Sequence, residues 1–246
     1  QQLGRCARQS ALALGIELQE LSEWQCCGGA YSMAQDEIAS KLAAVRAAAA
    51  AKEQGRELVT LCSACHNVLK QANRDMAENE EFSQKANNYL KLDEPYRGET
   101  RVVHFLELLR DRVGFDQLAK QVQHPLTGQK IGAYYGCLLL RPGKVMQMDN
   151  PENPKILEDF IRALGAQPVV YANRNECCGG YMALEDRALA AKKSGAVLED
   201  AAQMGAGLLV SACPLSLYNL TKNAPAGRKL PVVYLHQLLA QALDVD

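Results

Sequence analysis

The sequence lacks the marks of nucleotide, membrane and nucleic-acid work. It has no Gly-x-Gly-x-x-Gly loop, P-loop or hydrolase triad pattern, so no nucleotide, flavin or hydrolase site is indicated. No apolar run approaches the roughly 20 residues that span a bilayer, and no secretory leader is recognisable, which sets the expectation of a cytoplasmic protein. Lys and Arg number 27 against 28 Asp and Glu, for a net charge of −1. That balance offers no attraction to nucleic acid or to an anionic membrane surface. A starting methionine is also lacking: the chain opens on Gln1, so upstream residues are expected.

Cysteine is what the chain does have, 9 in 246 residues. With 48% apolar and 22% charged residues the composition is that of a globular protein able to bury a sizeable core. Without an export signal, an odd set of thiols argues against a disulfide framework and for metal or redox chemistry in a reducing compartment. Two runs stand out: Cys26-Cys27-Gly28-Gly29 and Cys177-Cys178-Gly179-Gly180. In each case 34 residues separate the second cysteine from a third, Cys62 or Cys213.

The repeat extends well beyond these runs. Residues 11–18 and 163–170 both read as a helix end, a glycine stop and a strand start. Helix-forming stretches follow each Gly-Gly, at 34–54 and 183–204. Short apolar strands come next at Glu57–Leu61 and Gly207–Ser211, then the third cysteine and another helix. Val102–Leu109 matches Val232–Leu239 at the close of each half. Strand and helix alternate, which implies an α/β fold of two pseudo-repeated βαβ-type units, each with a small parallel sheet flanked by helices. The halves are expected at 1–120 and 121–246. Residues 71–100 have no counterpart in the second half and read as a mostly surface insertion with some helix.

In such sheets, sites form where strands end and helices begin. The cysteines fall there, facing helix N-termini whose free N–H groups favour thiolates. The paired glycines suit a tight turn with close approach to a bulky group. Cys26, Cys27, Cys62 and Cys65 make four thiols in the first half; Cys137, Cys177, Cys178 and Cys213 make four in the second. Soft thiolates select zinc or iron–sulfur clusters. Adjacent cysteines meet one small tetrahedral ion poorly and a multi-iron cluster more readily, so zinc in one or both sites is the alternative.

The duplicated pattern Cys … Cys-Cys-Gly … Cys-x-x-Cys resembles the CCG domain of the heterodisulfide reductase B-subunit family. The resemblance includes Leu61-Cys62-Ser63-Ala64-Cys65, Tyr134-Tyr135-Gly136-Cys137, Ser211-Ala212-Cys213-Pro214 and Asp149-Asn150-Pro151. It implies one 4Fe-4S cluster per half, noncubane and held by five cysteines, with a disulfide cleaved between the two. It also implies an iron–sulfur partner of the C-subunit type and a flavoprotein of the A-subunit type. The first cluster would use Cys26, Cys27, Cys62 and Cys65, the second Cys137, Cys177, Cys178 and Cys213. The family's leading Gly-Cys of the first half is absent, and Cys6 does not replace it; Cys6 is read as a core thiol. Ser216 stands where the family has a last cysteine. It would ligate iron through oxygen or leave a four-thiolate site, so the second cluster is a variant or a relay. The rival function is an electron relay or adaptor subunit without turnover, as in quinone-linked complexes.

Other residues are weighed near these sites. His66 is expected at a solvated first helical turn, His104 and His236 packed or capped, and His124 in the loop between halves. Arg141 is a candidate partner for an anionic substrate or cluster, and Trp24 is expected to shield a cluster from water.

Overall fold

Apolar spacing, caps and glycine stops set the helices, and short β-branched runs set the strands. The computed structural model describes residues 2–22, 24–29, 36–225 and 230–245. The first half runs α1 (Gln2–Ala13), α2 (Glu37–Glu53), β1 (Leu58–Thr60), α3 (Ser63–Glu78), α4 (Glu80–Leu90) and β2 (Val102–His104). It closes with α5 (Phe105–Leu108), a π-helical turn (Leu109–Val113) and α6 (Phe115–Gln121). The second half opens with β3 (Lys130–Tyr134), α7 (Gly143–Met146), α8 (Ile156–Ala163) and β4 (Gln167–Val169). It continues through α9 (Arg187–Gln203), β5 (Leu208–Ser211), α10 (Pro214–Tyr218), a π-helical turn (Asn219–Asn223), β6 (Val232–Tyr234) and α11 (Leu235–Leu243).

Both sheets are parallel, which gives the expected α/β class. The first holds β1 and β2; the second has the order β4-β3-β5-β6. β1 and β2 pair with Thr60 opposite His104, and β5 and β6 pair in the same way with Ser211 opposite Tyr234. Strand, cysteine, helix, strand, helix is thus built twice.

One expectation is corrected. Gly15 does end α1, at φ +78, but residues 16–18 form no strand. In the second half the matching β4 pairs with β3; among the described residues the first half has nothing in β3's place, so no ladder forms. The stretch 71–100 is mostly exposed and partly helical, as expected, and a few of its side chains anchor it in the core. Asn79 caps α4 through the Phe82 N–H, and α4 buries Phe82, Ser83 and Ala86. Asn87 exchanges two 2.9 Å hydrogen bonds with the Tyr96 backbone. Tyr96 joins Val45, Leu58 and Val68 in an apolar cluster that covers one face of the first sheet's helices.

The largest core crosses between halves. It unites Ala7, Ala11, Phe105 and Leu109 with Ala133, Phe160, Leu235 and Leu239. α1 packs on α11 and α6 packs on α8, so each half lends a helix to the other. Cys6 is buried in α1 as a core thiol. This interlock brings the ends of β1 and β5 together.

Candidate metal centre

β1 and β5 each deliver a cysteine in extended conformation to a helix start. Cys62 (φ −139°, ψ 127°) caps α3, and Cys213 (φ −135°, ψ 119°) caps α10. Free N–H groups of a first turn stabilise negative charge on a sulfur at the cap, and those of Ala64 and Cys65 favour the Cys62 thiolate. The two caps meet at a seam. Ser63 donates to the Ala212 carbonyl through its N–H at 3.1 Å and its hydroxyl at 2.9 Å. The Tyr234 hydroxyl lies against the carbonyls of both Leu61 and Ala212. These bonds set the Cys62 and Cys213 ends of the two strands beside each other across the halves.

The Cys-Cys-Gly-Gly loops abut the next helices. Gly28 has φ +71°, and a β carbon there would sit 2.7 Å from the Ser40 carbonyl oxygen; at Gly179, φ +80°, it would sit 2.8 Å from Ala190 Cα. The close approach at these two glycines is to the starts of α2 and α9. Gly29 and Gly180 do border thiols, their β positions lying 3.8 Å from Cys27 Sγ and Cys178 Sγ. Ser194 Oγ and Asn219 Nδ2 hold the Cys178 carbonyl at 2.9 and 3.4 Å.

All nine cysteines are free. In the first half Cys27 Sγ lies 2.8 Å from Cys65 Sγ, and Cys62 is near enough for its charge to bear on Cys65 and on Cys213 of the other half. In the second, Cys137 pairs with Cys177, and Cys178 Sγ lies 3.5 Å from Ser216 Oγ. Cys137, Cys177, Cys178, Cys213 and Ser216 line one cavity of ≈ 40 Å³. Cys26 is exposed, outside these contacts. Hydrogen bonds from Cys213 and Cys65 bring Cys62 down to about 3. Cys137, with the Gly179 and Gly180 N–H groups, brings Cys177 to about 5, and Cys65 lowers Cys27. The donors Cys65, Cys137 and Cys213 are pushed up in turn. Soft donors ringing a cavity at helix N-termini fit a cluster of several irons. Among the described residues, no three His, Cys, Asp or Glu side chains are grouped as a single metal ion would need.

Several neighbours differ from expectation. His66 is fully buried, not solvated: Nδ1 is 3.1 Å from Thr60 Oγ1, and Nε2 is 3.3 Å from Glu107 Oε2. Trp24 is 65% exposed and does not seal the site. Arg141 turns away from the thiols, donating to the Asn175 and Pro151 carbonyls at 3.0 and 3.4 Å and to Glu152 at 3.2 Å. His104 and His236 are packed, as expected, and His104 also caps α5. His124 lies exposed between halves, 3.4 Å from Asp244.

Three residues were not anticipated. Asn67 of α3 donates to the Leu138 and Arg141 carbonyls at 2.8 and 2.7 Å, so the first half clamps the loop carrying Cys137. Asn219 Nδ2 lies 3.6 Å from Cys178 Sγ. Tyr181 lines the cavity; its place directly after the second Gly-Gly was the available signal.

The CCG family, described as a cysteine-rich domain, matches residues 2–70 and 131–221. The chain is 31% identical over 96% of its length, and 84% of the relative's, to the 8-methylmenaquinol:fumarate reductase membrane anchor subunit of Wolinella succinogenes. It is 30% identical to a protein of Archaeoglobus profundus that is like the B subunit of heterodisulfide reductase, covering 95% and 83%. To the B subunit of a ferredoxin/F420H2-dependent CoB-CoM heterodisulfide reductase of Methanosarcina acetivorans it is 27% identical, covering 94% and 80%. The crystal structure of a hypothetical protein from Helicobacter pylori shares the fold, with TM-score 0.78 and 13% identity over the whole chain and 46% of that one. No helix among the described residues is long and apolar enough to cross a membrane.

Proposed function

The chain belongs to the CCG cysteine-rich family, carries that domain twice and has B-type subunits of heterodisulfide reductases as relatives; from this we propose that it is an iron–sulfur redox subunit of a heterodisulfide-reductase-like complex. Residues 1–120 would hold one 4Fe-4S cluster, noncubane, through Cys26, Cys27, Cys62 and Cys65. Residues 121–246 would hold the second through Cys137, Cys177, Cys178 and Cys213, with Ser216 beside Cys178. Bound there, iron and sulfide supply single-electron steps to a sulfur atom. The chain's own part is to fix geometry and charge: the first turns of α3 and α10 position Cys62 and Cys213, and the glycine loops set the paired cysteines against α2 and α9.

The observation that carries this reading is the seam itself: Ser63 donates to the Ala212 carbonyl and the Tyr234 hydroxyl meets the carbonyls of Leu61 and Ala212, so the residues beside Cys62 and Cys213 are tied together. A disulfide taken up at that seam would accept two electrons and two protons and leave as two thiols; the reverse oxidises thiols. The electrons would come from an iron–sulfur protein of the C-subunit type, fed by a flavoprotein of the A-subunit type.

A second reading is an electron relay without turnover. Ser216 in place of a thiol favours it, as does the likeness to a menaquinol:fumarate reductase subunit. Anaerobic metal and acid-labile sulfide content is the test. Brown protein with ~4 irons and ~4 sulfides per cluster is expected, and Cys213→Ala should lose iron and change the EPR spectrum. Protein with neither iron nor sulfide would refute the proposal, and stoichiometric zinc would make the sites scaffolds. Assembled with its donor, a protein that passes electrons but consumes neither thiol nor disulfide is the relay.

A further inference from the structure

Around Cys178 the second half places polar groups where the first half has apolar ones. Asn219 is fully buried and aims its amide at Cys178, with Nδ2 3.4 Å from the carbonyl and 3.6 Å from Sγ. Asn223 donates to Asn219 Oδ1 at 2.7 Å, so the amino end of Asn219 is the one that faces the sulfur. Both residues ride on the π-helical turn Asn219–Asn223. Ser194 of α9, also buried, donates to the same Cys178 carbonyl at 2.9 Å. Lys193 precedes it, half-buried and three residues past Ala190, which lies against Gly179; side chains at that spacing share a helix face. Cys177, brought down first by its hydrogen bond with Cys137, also feels the Lys193 charge.

The matching positions of the first half carry none of these groups. α2 and α9 each run 17 residues from a capping aspartate, Asp36 or Asp186, and Ala43 and Ala44 fall where α9 has Lys193 and Ser194. Cys62 and Cys213 cap α3 and α10, and Val68 falls where the second half has Asn219. Val68 and Ala44 share an apolar cluster. Arg46 does donate to Gln25, beside Cys26, but it is exposed and water screens its charge. The two thiol sets also differ in burial: Cys26 is exposed and Cys27 half-buried, whereas Cys178 and Cys213 are buried. Reduction adds negative charge, which burial disfavours. N–H donors to the sulfurs and a nearby cation favour it.

We propose that Asn219 and Lys193 raise the redox potential of the iron–sulfur group held by Cys137, Cys177, Cys178 and Cys213, so that this buried site exchanges single electrons with the more exposed first one. This rests on the iron–sulfur reading above. The test is an anaerobic redox titration of the protein with its clusters, followed by EPR; the second-half signal is the one that Cys213→Ala removes. Asn219→Leu deletes the amide donor at similar volume, and Lys193→Ala deletes the charge. Each should keep the iron content and make reduction of that signal about tenfold less favourable, ~59 mV lower for one electron. The first-half signal should stay in place, and Lys193→Arg should keep the unaltered potential because it keeps the charge. A second-half potential unchanged in both deletions would overturn the proposal. So would an equal shift of both signals, since the effect would then be general. Loss of iron from Asn219→Leu would make that residue structural and overturn its part, while Lys193→Ala, at a half-buried position, still decides the other. A potential that falls as far in Lys193→Arg as in Lys193→Ala would overturn the role given to the charge. Absence of iron from the unaltered protein would instead remove the underlying reading.

Discussion

His104 and His236 are sealed inside the fold, and burial holds the pKa of each down at about 3, against ~6.5 in an unfolded chain. Below the unfolded value the unfolded chain takes up protons that the folded chain refuses. Stability is therefore full above about pH 6.5 and falls as pH drops toward 3, by up to about 1.4 kcal/mol per pH unit for each group. Urea midpoints taken from pH 7.5 to pH 5 should decline. His236 has both ring nitrogens unpaired, and its ring meets Phe105 and Tyr234 edge-on at 4.7 and 4.9 Å. His236→Phe keeps those contacts and removes the proton site, so the decline should flatten. An equally steep decline would show that other groups govern it. His66 shows why single residues resist reading from sequence. Its neighbour Cys65 was legible, but the partner that lets it be buried is Glu107, on a helix beyond another strand. Long-range pairing leaves no local pattern.

At the scale of elements the repeat was legible because its spacing is a physical length. The 34 residues between the second and third cysteines hold a glycine turn, a 17-residue helix and a short strand in both halves. What stayed hidden depends on neighbours. Residues 16–18 have strand character but no partner strand, and Asn79 and Asn87, in a mostly exposed stretch, read as surface polarity although they are spent on the backbone. The glycine turns make a testable distinction. Gly179→Ala adds a β carbon 2.8 Å from Ala190 Cα at φ +80°, whereas Gly205→Ala at φ +88° meets nothing within 4 Å. The second substitution carries only the left-handed backbone cost, about 1–2 kcal/mol. Gly179→Ala adds a clash with helix backbone, so its loss should exceed that of Gly205→Ala by at least about 1 kcal/mol. Paired urea melts measure the difference, and equal losses would mean that α9 yields freely.

For the whole molecule, the two halves are repeats in sequence but not separate bodies in space. Ala7 and Ala11 share a core with Leu235 and Leu239, and the Tyr234 hydroxyl closes on both Leu61 and Ala212. Unfolding should therefore be one transition, with probes in either half melting together. Asn67 tests the coupling most directly. It lies on α3 of the first half, yet its amide serves the Leu138 and Arg141 carbonyls that frame the Cys137 loop. Asn67→Ala leaves two acceptors short of a donor, a cost of about 1–3 kcal/mol. The loss should appear where the carbonyls are: amide exchange should quicken in residues 136–141, while β1 and β2 keep their relative protection. Exchange that quickens only around α3 would mean the loop is held by its own turn, and that the seam joins two sites without binding their supports.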